Sequence, residues 1–205
     1  MITRREVRER RRLRSRRLRA VLAGGVVLGI GVAATLAAWN DSEYGSASFT
    51  AGKFDIVGAV DGATFSNHGT AGTAATLNLQ LVPTAMAPGN STYALFSVKT
   101  ANPSVAGTVQ LIAGTPTGTG LAAHLTYGVR TIAGTTCNST TYAAGTAVVA
   151  DGSALTAGGA AAQAVTANGA AQVNYCFAVT LPLAAPNAAQ GLTMTQTWQF
   201  LGTSS

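Results

Sequence analysis

The sequence predicts an all-β protein: a two-sheet antiparallel sandwich, jelly-roll-like, preceded by an N-terminal signal helix. Three observations predict it. Beyond residue 53, apolar and polar residues alternate in short runs, the pattern of strands that bury one face. Pro, Gly and Asn punctuate the gaps between those runs and supply turn chemistry. After residue 38 no stretch carries a convincing amphipathic helix. One-sided strands need a second layer, and without helices that layer is another sheet.

Phe54–Val60 (FDIVGAV) opens the β region. Thr76–Val82 (TLNLQLV) alternates Leu77, Leu79 and Leu81 against polar neighbours and reads as a half-buried strand. Pro83 and Pro88-Gly89-Asn90 interrupt the chain before Ser91–Thr100, which is followed by Val105–Ala113, Leu125–Ile132 and Thr141–Val149. Asn168-Gly169, between 160–167 and 170–180, is a type I′ hairpin signal. The Ala-rich piece 154–171 has helical composition, but Gly158, Gly159 and Gly169 and its β-branched residues favour strand or loop. Pro182 and Pro186 mark a loop, and Leu192–Leu201 closes the set. The apolar stripes centred on Leu77, Leu95, Val109, Leu125, Phe177 and Trp198 are the expected core.

The N-terminus differs in kind. Ten of the thirteen Lys and Arg residues fall between Arg4 and Arg19, and residues 20–37 are apolar and rich in Gly and Ala. Thr35 and Ala37 fit the small-residue positions before a signal-peptidase cut, and polar Asn40 and Asp41 follow at once. We therefore read residues 1–37 as a signal peptide (basic 1–19, apolar 20–37), with cleavage between Ala37 and Ala38. The apolar part is just long enough to span a bilayer, so the membrane enters only through the uncleaved signal. Arg16-Arg17 hints at twin-arginine export. Residues 38–53 form an N-terminal segment, and 54–205 the β-sandwich domain.

From Ala38 onward three cations (Lys53, Lys99, Arg130) face five anions (Asp41, Glu43, Asp55, Asp61, Asp151). Nucleic acid is thereby excluded as a partner, since the basic residues lie on the segment to be removed. Both cysteines, Cys137 and Cys176, lie in the exported part, and in an oxidising compartment they are expected to pair.

No catalytic constellation is visible. His68 and His124 are far apart and lack metal-hydrolase spacing, no GxSxG elbow occurs, and Asp55 and Asp61 do not have EF-hand spacing. The chain is expected to be no enzyme and to carry no cofactor or metal. Asn40, Asn90 and Asn138 open Asn-Xaa-Ser/Thr triplets, which arise by chance in so Ser/Thr-rich a sequence.

The junction TLA–AWNDSEYGSASFTAGKFDI resembles the start of the TasA/camelysin family. The elements that carry the resemblance are Ala37/Ala38, Trp39, Asn40, Asp41, Phe49, Ala51-Gly52 and Phe54-Asp55-Ile56. The closing run with Thr195, Thr197 and Trp198 is similar too. The arginine-heavy start, the cysteine pair and YCFAVTLP look more like the actinobacterial branch of alternate signal-mediated exported proteins. The chain departs from TasA in being shorter and in lacking its charged insertions and tail. The resemblance implies a jelly-roll protein at the cell surface or outside the cell, cut by a SipW-type signal peptidase. It implies a subunit of a biofilm-matrix fibre, a homo-oligomeric filament or an assembly with related matrix subunits, built by donating the N-terminal segment as a strand to the next subunit. The metalloprotease class assigned to camelysin finds no metal-ligand motif here.

The residues support strand donation independently, because 38–49 precedes the first good strand and holds few obligate core residues. Trp39, Asn40, Asp41 and Phe49 are the expected subunit-contact residues. Trp39 is expected to fill a pocket of the neighbour and Phe49 to stay in its own domain. The alternative reading is a monomeric surface binding module, an adhesin or glycan- or protein-recognising jelly roll.

Overall fold

A computed structural model describes residues 4–35, 40–79 and 86–205. The chain divides into two units, 1–49 and 50–205. In the first, helix α1 runs Arg4–Thr35. Its Arg, Leu and Ala residues favour helix, against Gly24 and Gly25, which cost about 1 kcal/mol each. Arginines occupy its first half, and no helix among the described residues is long and apolar enough to cross a membrane. Residues 40–49 form no regular structure and are exposed.

The second unit is the expected antiparallel sandwich. Its larger sheet contains β1 (Ile56–Ala59), β2 (Ser91–Thr100), β5 (Thr126–Ile132), β6 (Thr146–Ser153) and β8 (Val173–Thr180), in the spatial order β1-β2-β8-β5-β6. The smaller sheet contains β3 (Gly107–Ala113), β7 (Gln163–Val165) and β10 (Trp198–Ser204), in the order β10-β3-β7. The two-residue strands β4 (Thr117–Gly118) and β9 (Met194–Thr195) pair separately. The chain crosses directly between the two sheets at β2–β3, β6–β7 and β7–β8, and by way of β4 and β9 at β3–β5 and β8–β10.

Between the sheets lies the main core. Phe96, Val98, Tyr127, Val129, Tyr175 and Phe177 from the larger sheet meet Val109, Leu111 and Val165 from the smaller one. Trp198 and Phe200 join from β10, and their rings bind the layers together. Phe200 lies 4.7 Å from Phe96 and 4.9 Å from Tyr175, and Trp198 lies 4.9 Å from Phe177. Such pairs add to the area they bury.

A smaller core covers the back of the larger sheet. Strand β2 is buried on both faces through its middle, because Leu95, Cys176 and Ala178 pack there against Cys137 and Tyr142. The covering piece is helix α2 (Ser139–Ala143), where the sequence suggests a strand from Thr141. That expectation is corrected by a cap. Asn138 Oδ1 accepts the Thr141 N–H at 2.9 Å, and Thr141 Oγ1 accepts the Asn138 N–H at 3.0 Å. This reciprocal pair starts the helix, and the strand begins only at Thr146. The Cys137–Cys176 disulfide, with Cα atoms 5.4 Å apart, ties this loop to the central strand β8.

Two further expectations change. Residues 76–79 belong to no strand, and residues 80–82 lie outside the described residues. The Leu77/Leu79 alternation persists as half-burial against exposed Thr76 and Asn78, but without a ladder partner. Asn168 and Gly169 do adopt the left-handed conformations of a type I′ turn (φ 55° and 64°). The strands they join part company, however: β7 pairs with β3 and β8 with β2 and β5. The turn is thus a corner between sheets, pinned where Asn168 N–H donates to Ser104 O (2.9 Å) and Gly169 N–H to Thr100 Oγ1 (2.8 Å).

Candidate functional site

Of the residues singled out at the junction, Ala37, Ala38 and Trp39 lie outside the described residues. Asn40 and Asp41 are exposed. Tyr44 is 95 % exposed and Phe49 93 %. Two large aromatic groups stand in water on one segment of twelve residues or fewer.

The sandwich supplies a surface of matching character. Gly114 N–H donates to Thr197 O (2.9 Å) and Ser205 N–H to Ala106 O (3.2 Å), so the odd-numbered residues of β10 are those bonded to β3. The N–H and C=O groups of Trp198, Phe200, Gly202 and Ser204 therefore point the other way, where the strand order has no neighbour among the described residues. Unpaired backbone of this kind is a template for another strand. The other edges are blunted. A Gly58–Ser66 pair of backbone bonds, both 3.0 Å, covers β1. Strand β7 has only three residues. Strand β6 carries Asp151, irregular register and a bond from Ala160 N–H to Val148 O (2.9 Å). Strand β10 has no charge, proline or bulge.

At the start of this edge, beside Trp198, Gln199 and Phe200, lies a cavity of about 1360 Å³. Both core-facing Trp198 and Phe200 and outward-facing Gln199 line it. Leu77, Leu79 and Met86 form part of its wall, and none of its described lining residues is Asp, Glu, Lys or Arg. At the rim, His68 Nδ1–H donates to Thr73 O and its Nε2 accepts from Ser66 Oγ, both 2.9 Å, which holds the 66–73 turn in place. Gln196 Oε1 is buried in the wall without a hydrogen-bond partner among the described residues, an acceptor left open inside the slot.

A second polar cluster lies on β5, β6 and α2. Arg130 Nη2 meets Asp151 Oδ2 at 2.7 Å, and the Tyr142 hydroxyl donates to Asp151 Oδ1. Arg130 Nη1 also donates to the carbonyls of Ala143 and Gly145, both at 3.3 Å. The Tyr142 hydroxyl, and after it Arg130, hold the Asp151 carboxyl below its usual range, while burial and then Asp151 push the Tyr142 phenol up. Gly128 makes the approach possible: a Cβ there would run into the Tyr142 hydroxyl and Asp151 Oδ1. The cluster fastens α2 to the sheet. Among the described residues, no group of three or more His, Cys, Asp or Glu side chains gathers in a form that holds a metal ion.

Neither the β10 edge nor the cavity was visible in the sequence, since both follow from strand order. No family model matches this chain, and no curated protein matches it.

Proposed function

We propose that the chain is a structural subunit of a fibre at the cell surface or outside the cell, assembled by strand addition. The N-terminal segment of one subunit joins the β10 edge of the next. The single observation that carries this reading is the uncharged β10 edge, without a neighbour among the described residues, beside a cavity that no described charged side chain lines. An exposed segment with two uncovered aromatics, on the same chain, supplies a donor. Donor and acceptor are different surfaces, so the contact is heterologous and propagates as a filament unless it closes. Export through a signal cut by a SipW-type peptidase between Ala37 and Ala38 belongs to the same reading. Its support is the basic-apolar-small pattern of residues 1–37 and the resemblance of the junction to TasA/camelysin proteins.

Electron microscopy and light scattering on protein beginning at Ala38 test it. Filaments are expected from the unaltered chain. Leu79→Glu, which places a charge in the cavity wall outside the main core, is expected to stay folded and to lose them. A protein that remains monomeric at every concentration sinks the fibre reading and supports a surface binding module instead.

A further inference from the structure

We infer that the donated strand is Gly45–Ala51, with Phe49 as its anchor, and that the more polar residues before it stay outside the acceptor slot. The inference rests on the strand-addition reading and assigns its residues. Successive side chains of an added strand face alternately the core and the solvent. Between Gly45 and Ala51 the alternation is clean: Gly45, Ala47, Phe49 and Ala51 on one face, Ser46, Ser48 and Thr50 on the other. The stretch has seven residues, no charge and no proline, and β10 has seven residues.

Residues 39–44 fit worse on either face. Trp39 shares its face with Asp41 and Glu43. The described residues of the cavity wall include no Lys or Arg, and an ionised carboxylate buried without a partner costs far more than a tryptophan gains. The opposite face carries Asn40, Ser42 and Tyr44, so Tyr44 is its only large group and its hydroxyl would have to find a partner inside the slot.

The acceptor's geometry fits the later piece. On β10 the residues whose backbone points into the slot, Trp198 and Phe200, are also the core-facing ones. A strand paired there sets its own core-facing residues directly opposite them. With two aromatic rings already in place, the inserted strand needs small residues and one ring, which Gly45, Ala47, Ala51 and Phe49 provide. Phe49 is 93 % exposed in its own chain and therefore free to be buried elsewhere. The end of the donated strand is also fixed: Val105 N–H donates to Lys53 O and Ala101 N–H to Asp55 O, both at 2.9 Å. The chain is held in its own domain from Lys53, leaving Gly52 as the link.

The test uses protein beginning at Ala38 and measures the critical concentration for filament growth by light scattering, with microscopy to identify filaments. Phe49→Asp is expected to raise it at least about tenfold, the loss expected when one buried aromatic is replaced by a charge. Ser48→Asp, on the solvent face, and deletion of residues 38–44 are expected to leave it within about threefold. Circular dichroism shows that each variant is folded, which the exposure of these positions predicts. If the deletion abolishes filaments while Phe49→Asp preserves them, residues 38–44 are the donor. Strand addition then stands and this assignment falls. If Leu79→Glu and Phe49→Asp both leave filaments unchanged, the acceptor slot itself is wrong and both readings fall together.

Discussion

Removing the Cys137–Cys176 bridge by substituting both residues with Ala tests how the smaller core is held. The bridge joins residues 39 apart in sequence. Chain-entropy arithmetic for a loop of about 40 residues gives roughly 4 kcal/mol of stabilisation from restricting the unfolded state. For a domain of this size, each 1 kcal/mol moves the melting temperature by about 2–4 °C, so a fall of about 8–16 °C is expected. The closed segment contains β6 and β7 and ends within central β8. The destabilisation should therefore be global, appearing equally in far-ultraviolet circular dichroism and in the fluorescence of half-buried Trp198. Urea denaturation should also give a steeper slope, because the unbridged unfolded chain exposes more surface. A loss under about 1 kcal/mol refutes the entropic argument. So does a variant in which α2 becomes mobile while the sandwich melts unchanged, since the bridge then acts only as a local clip.

Three other outcomes follow from particular contacts. Gly128→Ala should cost about 1–3 kcal/mol in denaturant titration, because the new methyl group meets the Tyr142 hydroxyl and Asp151 Oδ1. The Ala63 and Thr64 N–H groups pull the Asp61 carboxyl down to about 2, and Tyr142 and Arg130 lower that of Asp151. A carboxyl lowered on folding contributes stability that is complete above its unfolded value near 4 and lost as pH falls through the folded one. Stability should therefore drop between about pH 4 and 2, and the drop should shrink in Asp61→Asn and Asp151→Asn, as followed by thermal melts across that range. Replacing Ala37 with Trp should leave uncut precursor, seen by intact-mass measurement, whereas the unaltered chain should begin at Ala38.

Ser91–Thr100 was legible to the residue because local signals agree: Pro88-Gly89-Asn90 precede it and Asn102-Pro103 follow, bounding a run of apolar, aromatic and β-branched residues. The run at Thr76 shows the limit of that signal. Alternation reports an extended chain with one covered face, and Leu77 and Leu79 are half-covered, but the hydrogen-bond partner that makes a strand is non-local. Asn168-Gly169 teaches the same lesson. Its turn conformation is encoded in two residues, and the destinations of the flanking strands depend on β2, β3 and β5. Helix α2 has a local signature too: Asn138 and Thr141 stand at capping-box spacing, and Asn138 also opens a glycosylation triplet. The acceptor slot had no signature of its own. An edge exists only relative to a strand order, and Trp198 reads as core in either case.

The position of β8 bears on how the chain acquires its shape. It is the eighth strand in sequence and the middle one of the larger sheet, pairing β2 across an 89-residue separation (Ser91 with Thr180) and β5 on its other side. Until residue 180 has emerged, β2 and β5 have no common neighbour, and β3 waits longer still for β10. Little native structure beyond β1–β2 and β5–β6 is open to the growing polypeptide, so folding is deferred to the last fifth of synthesis and, with contacts so distant, proceeds slowly. In a chain of this topology the central strand is thus the keystone, set in place only after the pieces it joins.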